Sequence, residues 1–217
     1  CRYADDFIVT AKNKETLLEI QQMIEKFMEE RGLKLSEEKT VITNINDGFD
    51  FLGWNFRKFK EKLLIQPSRK SKQKVTKSLS RTIKYYHEAS QELLIIKLNQ
   101  ITRGWAEYHH CVCAKKTYAL IDHRLWEMLW KWAKRRHPRK GRKWIKNRYW
   151  HPKGNREWSF RTDRAILYQM MDMPIVRIRS LDLKKNPFLD SDYFERRRKQ
   201  HKKDKETAYL SSTAALS

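Results

Sequence analysis

Glycine, proline and cysteine are scarce: 6, 5 and 3 in 217 residues. So few glycines and prolines exclude a collagenous or linker-type chain. Three cysteines, Cys1, Cys111 and Cys113, are too few and too badly spaced for a disulfide framework, and point to a reducing compartment. No apolar run approaches the ~18 residues of a membrane span, and no signal peptide is visible. Acidic residues are also in deficit, 26 against 48 Lys/Arg, for a net charge of +22. Such a surface needs a polyanion, most often nucleic acid. Hydrophobic residues at 40% and aromatics at 12% suffice for a packed core.

The charge is unevenly placed. Residues 1–66 hold 11 basic and 12 acidic residues, net −1, which leaves 37 and 14 for residues 67–217, net +23. This shift puts a boundary near Pro67, with a nucleic-acid-binding module after it.

Residues 1–11 read as strand, tight turn on Ala4-Asp5-Asp6, and a second strand at Phe7–Thr10. Leu17, Ile20, Ile24, Phe27 and Met28 keep a helical period over 14–31, with Asn13 to cap the start and Gly32 the end. A strand is expected at Thr40–Thr43, and Phe49–Phe56 with Lys62–Gln66 reads as a hairpin. After Pro67 the period predicts helices at about 70–88, 91–110 and 115–136, which suit an antiparallel bundle. Residues 138–165 read as an irregular basic and aromatic loop, 166–194 as mixed, and the stretch from Glu195 as a frayed basic tail. The fold class is thus an α+β N-terminal piece followed by a mainly α-helical bundle.

Two adjacent carboxylates on a turn repel unless cations lie between them, and oxygen donors suit hard divalent ions such as Mg²⁺. Two ions roughly 3.5–4 Å apart could activate a 3′-hydroxyl and stabilise a leaving pyrophosphate. Asp5 and Asp6 are the candidate ligands. Residues 131–148 hold ten Lys/Arg and no acid, a pattern for salt-sensitive phosphate binding. His109 and Cys113, spaced i, i+4, could share a zinc ion, but two further ligands are missing and helix-end packing is expected. Trp126, Trp130 and Trp132 read as core. Trp144, Tyr149 and Trp150 stand between core and nucleic-acid contact. The Arg196–Lys205 run reads as a solvated or RNA-touching tail.

Tyr3-Ala4-Asp5-Asp6 resembles the active-site hairpin of reverse transcriptases, in the form common to group II intron-encoded proteins. Gly32–Thr40 resembles the next palm block, Phe49–Phe56 the primer-grip hairpin, and Ile101–His109 and Leu129–Pro138 the thumb or maturase domain. Asn186-Pro187-Phe188 with Tyr193-Phe194 resembles the segment that follows. The resemblance implies RNA-directed DNA polymerase chemistry together with intron RNA binding and splicing assistance. It implies Asp5 and Asp6 as metal ligands for Mg²⁺, with Mn²⁺ as an alternative, and Lys39 near the triphosphate or pyrophosphate. Gly53 and Trp54 would approach the primer end. Arg103, Lys134, Arg135, Arg136, Arg139, Lys140, Arg142, Lys143, Trp144, Lys146 and Arg148 would contact nucleic acid.

Domains follow: 1–66, the last part of a palm; 67–165, a helical thumb/maturase domain; 166–217, a basic C-terminal segment without the Cys-x-x-Cys pairs of an endonuclease. The family's further metal-binding Asp and basic finger residues would precede Cys1. A chain that opens on Cys in an apolar-alternating segment reads as a fragment, a split product or a processed piece. The expected partners are structured intron RNA, template–primer, and an N-terminal palm/fingers segment supplied separately. The expected place is a bacterial cytoplasmic nucleoprotein, with an organelle as the alternative. A rival reading is a non-catalytic RNA-binding splicing cofactor.

Overall fold

The computed structural model describes residues 1–36, 38–182 and 184–214, with side chains to residue 211. Glu37, within the palm-like block, and the last residues of the Ser/Thr/Ala tail lie outside the described residues. Two compact units divide between Phe49 and Asp50.

In the first unit, β1 (Arg2–Tyr3) and β2 (Asp6–Phe7) form an antiparallel hairpin with Tyr3 opposite Asp6. The turn is therefore Ala4-Asp5, one residue shorter than the sequence suggested, with Ala4 at φ 52°. Helix α1 (Lys14–Glu29) starts where Asn13 accepts from the Thr16 amide, and Gly32 follows its end at φ 67°. The expected strand at Thr40–Thr43 does not form; a strand needs a pairing edge, and no described strand lies beside it.

A three-stranded antiparallel meander begins at the division between the two units: β3 (Phe49–Phe51), β4 (Trp54–Phe59) and β5 (Lys62–Pro67). Helices α2 (Arg69–Tyr85), α3 (Gln91–His109) and α4 (Lys115–Arg136) follow at nearly the expected positions. Ser68 and Ser90 cap the first two. Their apolar stripes meet in one core around Leu79, Leu94, Leu98, Ile121, Leu125 and Leu129.

Two expectations need correction. Residues 138–165 are not an irregular loop: α5 (Arg142–Tyr149) runs into an antiparallel hairpin of β6 (Trp150–Lys153) and β7 (Arg156–Phe160). Pro152 and Gly154 are tolerated because the register shifts beside Pro152 and Gly154, at φ 52°, helps make the turn. Helix α5 buries only Ile145 and Tyr149, too few apolar residues to set a visible period. The segment after Glu195 is not frayed either. Helix α6 (Ser191–Ala214) is fastened by Lys205 and Tyr209, both on Glu107, and by the Tyr209 hydroxyl on Met173 Sδ. Burial pushes the Glu107 carboxyl up, but Lys205 and Tyr209 outweigh it and hold it below the usual range.

Pro67 itself lies within the second compact unit. The β4–β5 hairpin and the β3–β4 turn before it are held by the helices through Tyr108 Oη to the Leu52 carbonyl (2.6 Å), Trp54 Nε1 to His109 (2.9 Å) and the Cys113 amide to the Ile65 carbonyl (2.9 Å).

Candidate nucleic-acid interface

The carboxylates of Asp5 and Asp6 stand on an exposed hairpin, which Cys1 N to Ile8 O (2.8 Å) and Ile8 N to Cys1 O (2.7 Å) extend. The nearby Arg2 guanidinium is spent on the Ala4 carbonyl, and no described cation forms an ion pair with either acid. Their oxygens suit a hard divalent ion in kind. Two carboxylates are fewer ligands than such an ion takes, and among the described residues no group of three potential ligands gathers. Lys39 is exposed on a turn closed by its own amide and that of Thr40 on the Ser36 carbonyl. No described hydrogen bond or ion pair joins it to the acids.

Gly53 and Trp54 belong to the β3–β4 turn, where Leu52 (φ 47°) and Gly53 (φ 80°) are both left-handed, as a two-residue hairpin turn demands. A Cβ on Gly53 would meet Ser71 and Tyr108 at 3.8 Å, ordinary contact, so backbone conformation rather than crowding requires glycine here. Trp54 faces the helices: its ring stacks on Tyr108 at 5.3 Å and its N–H is bound by His109.

His109 is wholly buried, and burial lowers its pKa to about 4, so the ring is neutral. An indole N–H can only donate, so the Nδ1 facing Trp54 must be the acceptor and Nε2 must carry the proton. Nε2 then donates to Ser71 Oγ (3.1 Å), which also accepts from Trp105 Nε1 (3.1 Å). Both ring nitrogens are spent, which leaves none for the zinc that the His109/Cys113 spacing allowed. Nothing in the sequence pattern beyond a lone His on an apolar helix face signalled this clamp.

Of the ten cations between 131 and 148, nine are exposed and Lys146 is half-buried. They lie on the last turns of α4, the connecting turn and α5. No described acid pairs with any of them. Arg136 differs from the rest. Its guanidinium donates to the His87 (3.1 Å) and Ala89 (2.6 Å) carbonyls and lies 4.8 Å from the Trp132 ring, so it ties the α2–α3 connection to α4. Lys140 lies over Trp144 and Lys146 over Trp158, at 5.3 and 5.2 Å. Arg103 is exposed, 4.7 Å from the Tyr168 ring. Of the three aromatics left open by the sequence, Tyr149 and Trp150 are core and Trp144 is exposed. Trp158, which the sequence reading passed over, is also exposed; its basic, Gly-flanked hairpin was the available signal.

The reverse transcriptase (RNA-dependent DNA polymerase) family model matches residues 1–56, and the group II intron, maturase-specific domain matches residues 69–150. Two models that meet in this order within one chain are decisive. The chain belongs to the group II intron reverse transcriptase/maturase family. No curated protein matches it. Reverse-transcriptase chemistry of this family uses divalent metals, and its two regions imply intron RNA and template–primer as partners. No helix among the described residues is long and apolar enough to cross a membrane.

Proposed function

We propose that the exposed cations of α4 and α5 grip the phosphate backbone of intron RNA and of template–primer, while Asp5 and Asp6 bind Mg²⁺, or Mn²⁺, for nucleotidyl transfer. The observation that carries the grip is the run of cations without acidic partners on a rigid helix–turn–helix. Phosphate contacts of this kind fix position and carry no base information. Lys39 would answer the triphosphate, and Arg103 would extend the surface. On this reading residues 1–66 descend from the palm, 67–165 form the thumb/maturase domain and 166–217 a basic C-terminal segment. The β4–β5 hairpin is palm by descent and is fastened to α3. Gly53 and Trp54 act near the primer end through the shape of that hairpin. An N-terminal palm/fingers segment would complete the metal site, in a bacterial cytoplasmic nucleoprotein.

The splicing-cofactor reading shares the RNA surface and differs only at the acids. It is favoured by the two acids having no third described ligand beside them. The deciding experiment supplies a palm-and-fingers segment from the same locus and follows primer extension on an RNA template with Mg²⁺. Extension that disappears with Asp5→Asn, while RNA binding is unchanged, supports the polymerase assignment. Extension undiminished by Asp5→Asn removes Asp5 from the site. No extension under any condition favours the splicing cofactor.

A further inference from the structure

A cavity of about 230 Å³ opens between α4 and the β6–β7 hairpin. It is far larger than one ordered water requires. Among the residues that line it are Asp122, Trp126, Trp150, Trp158, Tyr168 and Gln169. Three indoles and a phenol give it aromatic walls, and the carboxylate and the amide give it polar points. Asp122 is already engaged: its two oxygens accept from the Met170 (3.1 Å) and Met171 (2.9 Å) amides.

Trp150 is the anomaly. It is 2% exposed, and its Nε1 has no hydrogen-bond partner among the described residues. The indoles of Trp54, Trp105 and Trp132 each have an acceptor, in His109, Ser71 and the His87 carbonyl. A buried donor without an acceptor is costly and rare, and in a residue that lines a cavity it points to a ligand with an acceptor atom. A flat ligand suits it, because the exposed Trp158 ring offers a stacking surface, while Trp126, which meets Trp158 edge-on at 6.3 Å and is itself stacked on His123 and Trp130, forms a side wall. Trp158 is 43% exposed, and Lys146 Nζ lies 5.2 Å from its ring. A phosphate held by Lys146 therefore brings the adjoining base to Trp158.

We infer that this cavity receives one unstacked nucleobase of the bound RNA. The base stacks on Trp158 with its edge towards Trp126, an acceptor on that edge answers the Trp150 N–H, and Gln169 supplies a second polar contact. The inference rests on the proposed RNA grip. It adds a base-dependent contact to a surface that otherwise reads only phosphate. Trp158, Tyr168 and Gln169 lie beyond the residues that the maturase-specific domain matches.

The test uses the whole chain and two labelled probes at one low salt concentration: a 12-nucleotide oligouridylate and an abasic ribose-phosphate oligomer of equal length. The oligouridylate should bind at least about fivefold tighter, the lower range for one base–aromatic stack. Trp158→Ala should abolish that difference, and Trp150→Phe, which keeps a ring and removes the donor, should reduce it. Tyr85→Ala, at an exposed aromatic outside the basic run, should leave it intact. Arg135→Glu with Arg139→Glu should weaken both probes alike. If neither probe binds in a salt-dependent way, the RNA grip itself fails. If both bind equally, or the difference survives Trp158→Ala, the pocket is overturned while the grip stands. Should Trp150→Phe lose its circular-dichroism signal, Trp158→Ala and Gln169→Leu decide, since neither residue is buried.

Discussion

Between Asp50 and Ser217 the chain builds a continuous apolar core, with Leu79, Leu94, Leu98 and Leu129 fully removed from solvent. Between Cys1 and Phe49 no described residue is buried, and the stripe of α1 remains partly or largely exposed. Their charges differ as much. The first unit has 7 basic and 10 acidic residues, net −3, which leaves 41 and 16 for the second, net +25. Asp5 and Asp6 thus stand on a unit with no buried residue among those described, and the cations of α4 and α5 on one with a closed apolar core. A phosphate grip needs rigid spacing over several contacts. Asp5 and Asp6, by contrast, are placed by the two-residue turn of the β1–β2 hairpin, Asp5 on it and Asp6 directly after it.

The comparison breaks most readily on charge. In the whole chain, RNA affinity should fall by about 10³–10⁵ between 50 and 200 mM salt if ~6–10 phosphates are contacted. Reversing Arg135, Arg139, Lys140 and Lys143 to Glu should flatten that slope by about four contacts, with equal losses for unrelated RNAs. Reversing Lys12, Lys14 and Lys26 should leave it unchanged. Filter binding checks both. A flat salt response in the unaltered chain would sink the charge argument.

Packing gives the next effect. Leu129→Ala should destabilise by about 2–5 kcal/mol, and Met23→Ala, at a 70% exposed position, by less than about 0.5 kcal/mol. Urea unfolding followed by circular dichroism measures both. Equal losses would mean that α1 is covered after all.

Acid should act through the clamp. His109 titrates at about 4 folded and near 6.5 unfolded, so between these values the unfolded chain binds more protons. The stability that the neutral ring provides is therefore complete above pH 6.5 and is lost as pH falls towards 4. Asp122 has the opposite sign: burial raises it to about 6, so it favours the folded state at acid pH and loses that contribution as pH rises from about 4 to 6. His109→Gln should flatten the acid limb of a stability–pH curve, and Asp122→Asn should steepen it. A thermal-melting series from pH 4 to 8 that moves the other way would refute these assignments.

The smallest contrast lies in the helix caps. Ser68→Ala should cost about 1 kcal/mol of global stability, because its bond to the Ser71 amide is buried with the core. Asn13→Ala should lower only the helix content of α1. Hydrogen exchange separates a global loss from a local one.

The helices α2, α3 and α4 were legible because apolar residues recur along each at a 3.6 period and serines precede two of them. Helix α6 was not, since the residues on its inner side include Arg197, His201 and Lys205, which look solvated until Glu107 and the Arg179 and Ser180 carbonyls are known. The β6–β7 hairpin was hidden by Pro152 and Gly154, residues that ordinarily end strands. In the candidate interface the basic run was plain from composition alone. The separate task of Arg136, and the inward placement of Tyr149 and Trp150, depend on partners far along the chain and left no local trace.

The hydrogen bonds from Trp54 through His109 and Ser71 to Trp105 have a consequence for how such a chain can be recombined. Trp54 lies in the stretch matched by the reverse transcriptase family, and the other three in the stretch matched by the maturase-specific domain. The seam between these inherited modules is therefore crossed by a buried relay in which each member fixes the donor or acceptor state of the next. A chimera that joins this N-terminal stretch to another maturase domain at Pro67 inherits half of the relay. Unless the incoming domain brings a histidine and a serine in register, Trp54 is left with an indole that has nowhere to donate. The workable crossover point lies upstream of Asp50, where the chain passes from one compact unit to the other and this relay is left whole.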